Sequence, residues 1–355
     1  METNLYLSSS LRQIEARHSD EALMQRAGTA AAEWATTLAT DRNQPVLVLA
    51  GPGNNGGDAF EAAYLLRQKF FDVRVVFAGN PGSLPKDAAD AYQRFVDSGG
   101  ATSENIPAET RWSLIIDGLF GIGLTRPPQG CYVEWINSAN QLKTRDACPL
   151  LALDCASGLN ADTGMTLGDA ICASHTITFI SAKPGLLTAD GPDHSGEIRF
   201  ANLELKPEIN QQPDGKLLTL TDFSTHLKAR LKNSHKGSFG SVGILGGAPS
   251  MTGAAFLAGR AALKLGAGRV YLGLVDSHAP AFDPLQPELM LRHAQSMLQT
   301  KLDAMACGPG LGVSLQASEM LECAVDLDLP LVLDADALNL IASEGNLQVA
   351  LASRP

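Results

Sequence analysis

Short, continuous apolar runs alternate along this chain with longer stretches in which apolar residues recur at helical spacing. Val46–Ala50 (VLVLA) is the first such run, and turn residues bound it on both sides. A strand buried on both faces of a parallel sheet has this pattern. Residues 73–77, 114–116, 150–153, 176–180 and 198–200 repeat it. Between them, residues 59–70, 87–96 and 132–142 carry helical spacing. Upstream, Ser10 with Gln13 predicts a capping box opening a helix. Ser19-Asp20 predicts the cap of a second helix, in which Leu23, Ala27, Ala30 and Ala31 form one face. The alternation predicts a mainly parallel sheet with helices on both faces.

The segment at 206–215 (KPEINQQPDG) is polar and contains two Pro and a Gly, as inter-domain linkers often do. A second α/β pattern follows it. Strands are predicted at 242–245, 270–274, 304–307 and 331–333, with a helix rich in small residues at 254–265. These strands also read as buried on both faces. The expected division is residues 1–205, a linker at 206–220, and residues 221–355.

Length and composition narrow the class. The chain has 355 residues, with 45% apolar and 18% charged. That excludes intrinsic disorder, and the length suits two domains. The net charge of −11 argues against a broad nucleic-acid surface, although a local anion site made of backbone N–H groups remains compatible. No apolar run approaches the ~20 residues of a membrane span. The N-terminus has neither the basic start nor the apolar core of a secretory signal. Six cysteines, with no C-x-x-C pair and no zinc-like spacing to histidine, fit reduced thiols. The expectation is a cytoplasmic protein that binds neither nucleic acid nor membrane.

In open α/β sheets, ligands bind beyond the carboxyl ends of the strands. Three polar, glycine-rich segments fall there: residues 51–58, 117–128 and 154–164. The first contains a formal G-x-G-x-x-G at Gly51, Gly53 and Gly56. However, the second strand ends in Ala78-Gly79-Asn80, with no carboxylate for a ribose. A hydride-transferring Rossmann oxidoreductase is therefore disfavoured, and a non-catalytic nucleotide-binding or scaffold module is the rival from another class.

Three ordered signatures point elsewhere. They are Asn54-Asn55-Gly56-Gly57-Asp58; Asp117-Gly118-Leu119-Phe120-Gly121-Ile122-Gly123-Leu124; and Asp154-Cys155-Ala156-Ser157-Gly158-Leu159 with Asp162-Thr163-Gly164. Together they resemble the NAD(P)H-hydrate epimerases over roughly residues 5–205. The resemblance implies a Rossmann-like three-layer αβα domain and an isomerase that interconverts the S and R forms of hydrated NADH and NADPH. It also implies a potassium ion held by Asn55, Asp117 and Ser157, whose amide, carboxylate and hydroxyl oxygens suit a hard cation. Substrate would contact Asn54, Asn55, Gly56, Gly57, Asp58, Gly121, Ile122, Gly123, Leu124, Thr125, Arg126, Pro127 and Asp154. Arg126 is the cation of these loops and can face the pyrophosphate. For expulsion and return of the ring hydroxyl, Asp154 is the first acid–base candidate and Lys183 the second.

In the second half, residues 246–255, Gly308-Pro309-Gly310-Leu311-Gly312 and residues 333–339 resemble the ADP-dependent NAD(P)H-hydrate dehydratases. The implied fold is ribokinase-like α/β, the implied class a lyase, and the implied nucleotide ADP or ATP. Ala254 and Gly312 are the implied substrate contacts. No G-G-x-G-D string follows residue 253; Gly266-Ala267-Gly268-Arg269 has Arg where Asp is required. The dehydratase fold is thus expected to be incomplete and this half inactive in a chain ending at Pro355. Homo-oligomerisation and the choice between NADH and NADPH hydrates stay open.

Overall fold

The computed structural model describes residues 4–19, 21–205, 212–227 and 229–354. The chain divides into two compact units, Met1–His226 and Leu227–Pro355. Residues 206–211 of the expected linker lie outside the described residues.

The first unit begins with β1 (Asn4–Leu5), α1 (Ser8–Arg17) and α2 (Leu23–Leu38). Next come β2 (Val46–Ala50), α3 (Asn54–Gln68), β3 (Val73–Val76), α4 (Lys86–Asp97), β4 (Thr102–Ser103), β5 (Leu114–Gly118) and α5 (Cys131–Asp146). It continues through β6 (Leu150–Leu153), β7 (His175–Phe179), α6 (Gly191–Ser195), β8 (Glu197–Ala201), β9 (Gly215–Lys216) and α7 (Leu220–Phe223). Seven strands form one parallel sheet in the order β4-β3-β2-β5-β6-β7-β8. Separately, β1 pairs antiparallel with β9.

Alternate residues of the central strands enter two different cores, as burial on both faces requires. Val46, Val48 and Ala50 join Leu11, Trp34, Phe60 and Phe95 from α1 to α4. Leu47 and Leu49 join Trp135, Ile136 and Leu142 from α5 on the other face. This is the expected three-layer αβα architecture. Trp34, Trp112 and Trp135 are at most 4% exposed, and all three tryptophans of the chain lie in this unit. Trp34 meets the His175 ring edge-on at 5.3 Å and carries the Arg199 guanidinium over its face at 4.3 Å.

Two helix starts differ from expectation. α1 opens at Ser8, not Ser10, and its N-cap Leu7 supplies no side-chain bond. Its first N–H groups are satisfied at long range instead: Leu7 donates to Asp214 Oδ2 and Ser8 to Asp162 Oδ1. α3 opens at Asn54, five residues before the apolar periodicity begins. The two glycines there look like loop but form its first turn, packed closely against neighbouring chain. Asp20 of the second expected cap lies outside the described residues; α2 starts after Ala22, which sits in the left-handed region.

The second unit contains β10 (Ser241–Gly246), α8 (Thr252–Leu265), β11 (Arg269–Leu274), β12 (Met290–His293), α9 (Ala294–Leu298) and β13 (Ala304–Cys307). After these come α10 (Leu315–Val325), β14 (Leu331–Leu333), α11 (Asp336–Ser343) and α12 (Gly345–Ala352). Its five strands are parallel in the order β12-β11-β10-β13-β14. Burial on both faces holds for β10 and β11 and fails at β14, where Val332 is 63% exposed. Leu331 and Leu333 pack against α10–α12 on one face; among the described residues the core on the other face stops short of Val332. No described helix is long and apolar enough to cross a membrane.

Candidate active site

The strand order of the first sheet reverses between β2 and β5, where a crevice opens beyond the strand ends. Close backbone approach makes this possible. A Cβ at Gly51 would lie 1.8 Å from the Leu119 carbonyl oxygen, and one at Gly56 would lie 1.9 Å from that of Gly51. The three segments predicted from sequence converge on a cleft of about 760 Å³. Asn54, Asn55, Asp58, Gly121, Ile122, Gly123, Leu124, Thr125, Arg126 and Asp154 all lie on its wall. Gly56 and Gly57 serve packing, the latter against Met24 and Ala88. Pro127 is exposed beside the wall.

Asp154 follows β6 with φ at +65°. A three-residue turn, in which the Cys155 N–H donates to the Leu153 carbonyl at 2.7 Å, encloses it. Such a backbone is strained for a non-glycine residue. The turn leaves the carboxylate within reach of Ile122 N–H at 3.3 Å and Phe179 N–H at 3.4 Å. Lys183 Nζ lies 2.5 Å from Asp154 Oδ1. It is 1% exposed, and donates also to Thr178 Oγ1 at 2.7 Å and to the Phe179 carbonyl at 3.0 Å. Lys183 is therefore buried behind Asp154, not displayed on the surface.

Asp117, at the end of β5, is fully buried. Its carboxylate accepts from Ser157 Oγ at 2.6 Å, Ser157 N–H at 2.8 Å and Leu119 N–H at 3.1 Å. Ser157 Oγ in turn accepts from the Phe120 N–H at 2.9 Å. Burial pushes the Asp117 carboxyl up to about 6, against the lowering effect of these bonds. Asn55 is 8% exposed, and neither its amide oxygen nor its amide nitrogen has a partner among the described residues. An orphaned buried amide needs an explanation, and a bound ion is one.

Sequence reasoning missed part of the wall. Arg12 and Glu15 of α1 line the cleft, as do Pro85, Phe120 and Phe179. Arg12 reaches across to the Ile122 carbonyl at 3.3 Å. Burial pushes Glu15 up, and the negative charge of Asp154 adds to this. Burial pushes Asp58 well above the usual carboxylate range, with Asp154, Glu15 and Glu61 adding and Lys183 opposing. All six cysteines are free thiols; burial raises Cys148 to about 11 and Cys307 to about 12.

In the second unit the strand order reverses between β10 and β13. The loops beyond them touch: Ala248 N–H donates to the Gly310 carbonyl at 2.6 Å, and Gly247 N–H to that of Pro309 at 3.2 Å. Gly308 (φ +125°) passes so close to Asp334 that a Cβ would lie 1.7 Å from its carbonyl oxygen. Ala254 approaches Gly310, and Gly312 N–H donates to Asp336 Oδ2 at 2.8 Å. The two expected contact residues thus sit on one rim.

Residues 20–185 match the family described as YjeF-related protein N-terminus, and residues 242–353 match NAD(P)H-hydrate dehydratase. The bifunctional NAD(P)H-hydrate repair enzyme of Escherichia coli is 35% identical over 90% of this chain and 62% of its own length. That of Coxiella burnetii is 34% identical over 96% of this chain and 71% of its own length. The chain thus spans about two thirds of the length of these curated relatives. A structure named as ADP/ATP-dependent NAD(P)H-hydrate dehydratase from Bacillus subtilis is 31% identical, with a TM-score of 0.27, over 32% of this chain and 43% of that one. With both family domains in order along one chain, this protein belongs to the bifunctional NAD(P)H-hydrate repair enzyme family.

Proposed function

We propose that the first unit interconverts the S and R forms of hydrated NADH and NADPH in the cleft walled by residues 51–58, 117–126 and Asp154. The observation that carries this reading is the meeting of an ion-paired, cleft-facing Asp154 with the orphaned Asn55 amide. The substrate carries a hydroxyl on the ring carbon beside nitrogen. The nitrogen lone pair expels it once it is protonated, which leaves a planar cation that water can re-enter from either face. Asp154 lies on the wall with a carboxylate that can exchange a proton with the departing or arriving oxygen. The N-terminal turn of α3 offers backbone N–H groups and Arg126 a cation, a setting suited to pyrophosphate.

A potassium ion is assigned to Asn55, Asp117 and Ser157. It would supply a fixed positive charge that ties three strand ends together. Asp117→Ala is expected to abolish the dependence of rate on potassium. Retained activity with unchanged potassium dependence would overturn the ligand assignment. Because the uncomplexed Asp117 carboxyl titrates near 6, its charged form dominates above that pH. Potassium activation should therefore fade as pH falls through this range.

Each epimerisation breaks one C–O bond and forms another with water. In isotopically labelled water, the S hydrate should yield the R form carrying solvent oxygen at the ring hydroxyl. Epimerisation without exchange, or no epimerisation with or without potassium, would sink the reading. In the second unit, the rim bearing Ala254 and Gly312 is assigned to hydrate binding, with ADP or ATP as the co-substrate of that family.

A further inference from the structure

The cleft holds more proton-carrying groups than one acid–base residue needs. Glu15, Asp58 and Asp154 all face it, and Lys183 is buried behind the last. No hydrogen bond to the Glu15 or Asp58 carboxylate is found among the described residues, whereas Asp154 is held by Lys183 and two backbone N–H groups. The unpartnered Asn55 amide, 8% exposed, opens into the same cavity and marks it as built for a ligand.

Glu15 comes from outside the segment that matches the YjeF-related family, which begins at residue 20. α1 is nevertheless fixed to the site. Ser8 donates from both N–H and Oγ to Asp162 Oδ1 at 2.7 Å. Arg12 crosses to Ile122, and Leu11 and Ile14 are buried in the core beneath. The helix therefore presents Glu15 to the cleft from a defined position.

Epimerisation needs two proton transfers of opposite sense: one to the leaving hydroxyl and one from the entering water. Resting on the epimerase reading above, we propose that Glu15, acting with Asp58, is the acid that protonates the departing hydroxyl, while Asp154 accepts the proton of the entering water. The carboxyl pair gives up its proton as the C–O bond breaks, and the bonding electrons leave with the oxygen as water. The ring-nitrogen lone pair forms the iminium bond. Entering water then forms the new C–O bond, its proton goes to Asp154, and the electron pair returns to nitrogen. At the end the pair is one proton poorer and Asp154 one richer, which is the state that starts the reverse reaction on the other epimer.

The charges facing the pair are Asp154 and Glu61 on the negative side, with Lys183 and Arg12 opposing. Crowded carboxylates favour retention of a proton. The kcat–pH profile tests the assignment. The wild-type alkaline limb should report loss of the pair's proton. Glu15→Gln removes a negative neighbour of Asp58, so that limb should move to lower pH by on the order of one unit. kcat should fall at least roughly tenfold, with KM changed less than about twofold. Glu15→Asp should restore part of kcat and the original limb. An unmoved limb, or an effect confined to KM, would overturn the proposal while leaving wild-type epimerisation intact. A second measurement does not depend on activity. Carbon-13 NMR of labelled carboxyl groups in the full chain should find a proton on the Glu15–Asp58 pair at neutral pH, and two fully ionised carboxylates there would refute it.

Discussion

Asp154→Asn is expected to lower the epimerisation kcat by about 10²–10⁴-fold, the range typical of a single general acid or base. The substitution keeps the shape of the side chain and, with the amide oxygen in the Oδ1 place, the acceptor for Lys183 and the Phe179 N–H; the 3.3 Å bond from the Ile122 N–H to Oδ2 is the one lost. Lys183 keeps three other oxygen partners, from Thr178, Phe179 and Ser181. The variant should therefore fold, and its loss should appear in kcat more than in KM. Steady-state kinetics on the purified S hydrate, run well below the unfolding temperature, makes the comparison. A loss smaller than about tenfold would move the proton-transfer role to another residue of the cleft wall, Glu15 or Asp58.

The largest expected effect on stability comes from Lys183→Met. Removing one member of a buried ion pair strands the other without compensation, at a cost of about 3–5 kcal/mol. The pair here is well enclosed: Lys183 is 1% exposed and Asp154 9%. Denaturant melts of the wild type and the variant measure the difference. The double variant Asp154→Asn with Lys183→Met should recover a substantial part of it, because no stranded charge remains. If the single variant loses less than about 1 kcal/mol, as an exposed pair would, the pair is not enclosed as described.

The strand pattern was the most legible part of the sequence. Val46–Ala50, Leu150–Leu153, Ala304–Cys307 and Leu331–Leu333 were read at their observed bounds, because short apolar runs between turn residues allow little else. The convergence of three polar loops on one crevice was also legible, since a parallel sheet puts every carboxyl end on one rim. What escaped was whatever depends on tertiary contact. Arg12 and Glu15 sit on an ordinary amphipathic helix, and nothing in SSSLRQIEAR says which exposed residues will turn toward a cleft. Arg12 and Glu15 are one helical step from the buried Leu11 and Ile14, which is the single local clue. Lys183 was legible as the second acid–base candidate, but its burial and its ion pair with Asp154 arise from tertiary packing. The start of α3 was hidden because two adjacent glycines favour loops, and only the close approach of Gly51 to Gly56 explains their place in a helix. The exposed Val332 was mispredicted because periodicity reports what a strand can bury, not which neighbours are there to cover it.

The confinement of all three tryptophans to the first unit turns the protein into its own reporter. Fluorescence excited at wavelengths that tyrosine does not absorb will follow the melting of Met1–His226 alone, with Trp34, wedged between His175 and Arg199, sensing the β7–β8 side of the sheet. Far-ultraviolet circular dichroism sums the helices of both units. Two optical traces from one cuvette can thus separate a concerted melt from a stepwise one, with no label, no cleavage and no second polypeptide.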